Sequence, residues 1–192
     1  MTVVEANPDI YKYLKVNLRL NEVTNVESLN ALASENEGFV KFLIGGTNSG
    51  GSKIYPRNLH PHYLENVRRV LELRSSRLDD CFPSRKFRLV FMDIEGSEYF
   101  ALTGMPNILA AADILFVEFI PNHLRYVAAI SANQFAELIS GFFNYLFIPG
   151  LGISVERENF SSMLCRLYDL NYSQDQIVFV KHLADIQRIS AR

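Results

Sequence analysis

The chain has 192 residues, 48% of them hydrophobic and 21% charged, which is ordinary composition for a globular domain with one sizeable core. Its 19 Lys and Arg stand against 21 Asp and Glu, so no global excess argues for nucleic acid or an anionic membrane as partner. No apolar run approaches the roughly 20 residues of a membrane span, the N-terminus lacks the layout of a signal peptide, and Cys81 and Cys165 form no C-x-x-C pair. These features predict one cytoplasmic domain over residues 1–192 acting on a small polar molecule, with no metal, nucleic-acid or membrane partner.

In chain order, Thr2 to Glu5 is a short β-type run, and Asn7-Pro8 supplies an N-cap followed by proline at the first helical position. Ile10, Leu14 and Leu18 then recur at helical spacing until Asn21. Val26 to Leu32, Gly38 to Ile44 and Val67 to Ser75 read as strands, with a Gly/Ser-rich loop from Gly45 to Ser52 between the last two. Leu89 to Ile94 is a nearly continuous apolar run that breaks into Asp93, Glu95 and Gly96 before a helical segment at Tyr99 to Leu102. Asp113 to Ile120 is a second such run, so the spacing is β-α-β. Ser131 and Gln134 form a capping box ahead of the apolar stripe Phe135, Leu138, Ile139 and Phe142. Tyr145 to Ile148 and Gln176 to Lys181 are the closing strands, with a helix around Phe160 to Tyr168 between them. Strands alternating with helices predict an α/β fold with a mostly parallel sheet covered on both faces, Leu89 to Ile94 and Asp113 to Ile120 lying inside it.

Ligands of such sheets bind at the carboxyl ends of the strands, where Glu5, Asp93 with Glu95, and Glu118 are predicted to gather. Glu5 is placed to accept hydrogen bonds from a ribose diol, since two carboxylate oxygens match two neighbouring hydroxyls. Asp93 and Glu95 could orient or deprotonate an acceptor hydroxyl, or bind a positively charged ligand end. Ser97 or Asp93 could instead cap the next helix, with Glu98 complementing its dipole. The glycines from Gly45 to Gly51 match neither a dinucleotide nor a P-loop pattern, and His60 and His62 lack ligand-spaced partners for a metal. Arg68, Arg69, Arg74, Arg77, Arg85, Lys86 and Arg88 make a local basic excess, suited to an anionic ligand or to solvated strand edges.

Five elements together resemble the FkbM family of methyltransferases: Val4 to Asp9 with Leu14 and Asn17, Asn30 to Ser34, Arg77-Leu78-Asp79-Asp80, Asp93-Ile94-Glu95-Gly96-Ser97-Glu98, and Val117-Glu118-Phe119. The resemblance implies a Rossmann-like class I fold and transfer of a methyl group from S-adenosylmethionine to a hydroxyl, on a sugar or other natural product. It places Glu5 on the ribose, Asn30 and Ala31 beside the adenine, and Asp93 and Glu95 at the transfer site, Asp93 also touching the cofactor. It further implies a first strand, glycine-rich turn and helix ahead of Glu5, and Glu5 has only four residues before it. The expectation is therefore an N-terminally incomplete domain, either a fragment or a degenerate relative, that binds the cofactor poorly by itself. A homo-oligomer that completes the sheet and a non-catalytic binding or assembly module are the alternatives.

Overall fold

A computed structural model describes residues 1–190. The elements are β1 (Thr2–Glu5), α1 (Pro8–Leu20), β2 (Glu27–Asn30), β3 (Leu32–Ala33), β4 (Gly38–Gly45), β5 (Lys53–Ile54), α2 (Pro61–Leu64), β6 (Val67–Ser76), α3 (Leu78–Cys81) and β7 (Leu89–Met92). They continue with α4 (Glu98–Thr103), α5 (Pro106–Ala111), β8 (Ile114–Phe119), α6 (Ala132–Ser140), β9 (Tyr145–Ile148), β10 (Ile153–Glu156), α7 (Phe160–Asp169), β11 (Gln174–Val180) and α8 (Leu183–Ser190).

Local chemistry sets the element ends. The Asn7 side chain accepts from the backbone N–H of Asp9 and Ile10 at the start of α1, and Pro8 occupies the first helical turn. Ser131 and Gln134 close the capping box of α6. Asp79 lies inside the protein and accepts from the N–H groups of Asn107 and Ile108, so the Arg-Leu-Asp-Asp element ties α3 to the start of α5.

Three sheets form. β1 and β2 make a parallel pair; β10, β9, β11, β8 and β7 lie in that order; β3, β6, β4 and β5 make a separate sheet. β7 and β8 are parallel neighbours, as their apolar runs require, but β11 runs antiparallel between β8 and β9, and β10 is antiparallel to β9. The architecture is α/β with mixed sheets, which corrects the expectation of a mostly parallel one. A second correction concerns β7. It forms an edge of its sheet, with Leu89 50% and Phe91 58% exposed. A continuous apolar run does not by itself say whether both faces are covered. β1 likewise pairs on one side only among the described residues.

The core sits on one face of the five-stranded sheet. Leu115, Val117 and Phe119 of β8 point into it with no exposed surface, against Leu102, Leu109, Phe135, Ile139, Phe160 and Leu164 of the helices. On the other face, Phe147, Val178 and Val180 pack with Ile186 of α8. The two faces should therefore respond unequally to truncation. Leu115→Ala is expected to lower unfolding stability by about 2–5 kcal/mol. Phe91→Ala, which loses a stacking contact with Phe116, is expected to cost about 1 kcal/mol. Urea unfolding of both variants reads the contrast, and equal losses would contradict the assignment of faces.

Candidate active site

The turn after β7 carries the Asp93 to Glu98 element. Glu95 has φ +58° and Gly96 φ +91°, two consecutive residues in the left-handed region. Such backbone is costly for glutamate and persists only where surrounding contacts hold it. A Cβ on Gly96 would stand 2.8 Å from Val127 Cβ and 3.0 Å from His123 Cβ, so glycine lets the turn lie directly on the segment after β8. Glu98 closes the turn from inside. Its buried carboxyl accepts the Ile94 N–H at 2.9 Å, and burial pushes it up to about 7 against these hydrogen bonds. Glu98 is thus a clamp for the turn. Ser97 makes no capping hydrogen bond, and its hydroxyl is buried without a partner, which corrects the reading of Ser97 as the cap of α4.

Residues His123–Ala128 form a π-helix, a wide turn that recurs at functional sites. Two of its carbonyls, those of Tyr126 and Val127, accept the N–H groups of Asn58 and Arg57, and the Asn58 side chain donates to Arg125 O. This latch brings the segment from β5 to α2 against the site. His60 packs on Tyr126 with ring centres 4.4 Å apart, and Tyr63 meets His123 edge-on at 5.7 Å.

A charged network results. His123 Nδ1 lies 3.1 Å from Glu118 Oε2, and its Nε2 lies 3.9 Å from Glu95 Oε2. Lys53, its side chain only 15% exposed, reaches Glu95 at 3.6 Å and sits over the Tyr63 ring. The Tyr63 hydroxyl is pushed up to about 12 by burial first and then by Tyr126, Glu118 and Glu95, so it stays a neutral donor. Asp93 is exposed and makes no hydrogen bond or ion pair among the described residues. Its carboxyl is raised by loss of hydration and then by repulsion from Glu118 and Asp175, with His123 opposing.

Glu5 joins the same edge indirectly. It accepts the Asn7 N–H at 2.6 Å, Asn7 reaches Ser52 Oγ at 3.4 Å, and Ser52 precedes Lys53. The Glu5 carboxyl is raised by burial, opposed by the backbone N–H groups of Asn7 and Ala6. Its Oε1 accepts from Asn7. Asn30 donates to the carbonyls of Glu5 and Ala6, and the Ala31 N–H donates to Glu5 O at 3.2 Å. Those groups lock the end of β1 to β2 and hold Glu5.

The Gly45 to Gly51 loop directs its N–H groups inward: Gly45 to Ser52 Oγ, Gly46 to Asn66 O, and Gly50 and Gly51 to Asn48. It lines a cavity of about 140 Å³ that Lys53, His62 and Tyr63 also bound. Most of the arginine-rich stretch is paired locally, Arg69 with Asp9, Arg74 with Glu37, Arg77 with Asp80, Arg85 with Glu27 and Arg88 with Asp113. Among the described residues no group of three His, Cys, Asp or Glu could hold a metal ion, and no helix is long and apolar enough to cross a membrane.

Sequence reasoning brought Asp93, Glu95 and Glu118 together and missed His123, Lys53, Tyr63 and Tyr126. For His123 a signal exists, a spacing of five from Glu118 across the end of a strand. Lys53 and Tyr63 come from a separate sheet and its connection, with no local pattern to announce them.

Glu98 yields a pH prediction. Its folded value, about 7, lies above the ordinary 4.5, so as pH rises the unfolded chain loses this proton first. The associated stability is fully present below about pH 4.5, falls up to about pH 7 and is flat beyond. Glu98→Gln keeps an acceptor for the Ile94 N–H and removes the titration. Urea midpoints should therefore shift in favour of the variant between pH 4.5 and 7.5, and a shift toward the wild type would contradict the clamp.

The methyltransferase FkbM domain model matches residues 2–149, a span that runs from β1 through β8 and the π-helix to the end of β9. No curated protein and no solved structure matches the chain. With most of its length and every carboxylate of the strand-end cluster inside the matched span, the chain belongs to the FkbM methyltransferase family.

Proposed function

We propose that the chain serves S-adenosylmethionine-dependent methylation of a hydroxyl on a small polar molecule such as a sugar. The observation that carries this reading is the convergence of Glu95, Glu118, His123 and Lys53 beside the free carboxylate of Asp93, with Glu5 connected through Asn7 and Ser52. When bound, S-adenosylmethionine supplies a sulfonium that is already a strong methyl donor.

The donor set suits such a ligand. Glu5 offers its carboxylate to a ribose hydroxyl from a backbone that Asn30 and Ala31 keep in place. Asp93 presents an unpaired carboxylate to a positive charge. Glu95 is held by Lys53, which fixes its direction and tempers its charge toward the acceptor. The Tyr63 ring and the cavity beside Lys53 give a small hydroxylated molecule an apolar wall with polar neighbours.

A second reading rests on the open edges of β1 and β7: a module that acts in binding or assembly, its sheet completed by a second copy. Sedimentation separates the two, since the assembly reading requires a dimer and the enzyme reading does not.

Cofactor binding tests the main reading. Affinity is expected on the order of millimolar, near −4 kcal/mol. Amide NMR shifts at Ala6, Asn7 and Ile94 should move with S-adenosylhomocysteine, and Glu5→Gln should weaken binding by about tenfold. Unmoved spectra at saturating ligand would overturn the reading.

A further inference from the structure

We propose that His123, oriented by Glu118, is the group that takes the proton from the acceptor hydroxyl, and that Glu95 faces the resulting imidazolium. This deepens the reading above and rests on it. A carboxylate can only accept, so the 3.1 Å contact with Glu118 calls for a proton on Nδ1, and in the neutral ring the lone pair is then on Nε2. The buried side-chain atoms that lack a hydrogen-bond partner among the described residues are Thr2 Oγ1, His60 Nδ1 and Ser97 Oγ. His123 Nε2 makes no hydrogen bond among the described residues and faces Glu95 Oε2 at 3.9 Å, in a side chain that is 10% exposed. An oriented base with an open lone pair is the arrangement that proton abstraction needs.

The surroundings suit the charge that this step creates. As the hydroxyl oxygen forms its bond to the methyl carbon, the carbon–sulfur bond breaks, its electron pair stays on sulfur, and the hydroxyl proton moves to Nε2. The sulfonium charge thereby passes to the imidazole ring. Glu118 at 3.1 Å and Glu95 at 3.9 Å stand on the two sides of that ring. Asp93 and the buried Glu98 also interact with it, and Lys53 holds Glu95 from behind. Tyr63 closes the ring's edge as a neutral phenol. The π-helix and Gly96 fix the position, since His123 begins the wide turn and the turn after β7 lies against its Cβ.

The ring state is measurable without any ligand. Long-range nitrogen–proton NMR on histidine-labelled full chain is expected to show the proton of the neutral His123 ring on Nδ1, and Glu118→Gln should disturb that preference. A neutral ring with its proton on Nε2 would overturn the proposal. Turnover adds a second arm, with methyl glycosides as hydroxyl probes at millimolar S-adenosylmethionine. His123→Ala is expected to slow S-adenosylhomocysteine formation by about 10²-fold or more, to keep the ligand-induced shifts at Ala6 and Asn7, and to recover partly with added imidazole. A rate within threefold of wild type overturns the base role. Failure of the wild-type chain to turn over any probe counts against the hydroxyl-acceptor reading, while the ring state still decides the dyad.

Discussion

The hydrogen bond from the Ile94 N–H to the buried Glu98 carboxyl holds the turn on which the site depends. It ties the end of β7 to the start of α4 and keeps Glu95 and Gly96 in left-handed backbone. Without that closure, Gly96 would not lie on Val127 and His123, and Glu95 would not stand between Lys53 and the histidine ring. One internal carboxyl thus sets the direction of an external one.

Charge is handled by distribution. Asp93, Glu95 and Glu118 come together at one end of β7 and β8, and like charges so placed repel. Lys53 and His123 separate them, each contributed by a segment outside the two strands. The Asn58 and Arg57 contacts to the π-helix carbonyls keep the lysine-bearing segment docked. The acidic cluster, Lys53 and His123 therefore share a single mechanical support.

What the sequence made legible follows from the range of the interactions. The cap at Asn7, the capping box at Ser131 and the parallel β7–β8 pair depend on residues close in sequence or on strongly periodic segments. The antiparallel insertion of β11 and the edge position of β7 depend on which strands meet, which no local period encodes. The same division holds at the site. Asp93, Glu95 and Glu118 announce themselves at strand ends, whereas Lys53 and Tyr63 arrive through the β3–β6–β4–β5 sheet and its connection. The resemblance implies Asn30 and Ala31 beside the adenine, and a motif cannot say that their N–H groups face the β1 backbone.

The split between β1 and β7 has a mechanical meaning. Within a continuous sheet, the spacing of strand-end carboxylates is fixed by the pitch of the hydrogen-bond ladder. Here Glu5 rides on one ladder and Asp93 and Glu95 on another, joined near the site through the Asn7–Ser52 contact and the Lys53–Glu95 ion pair. Side-chain contacts of that length are compliant, so the gap between the two halves is a soft coordinate. A ligand that touches both halves would act as a tether that stiffens it, and part of its binding free energy would be used to draw the halves into register.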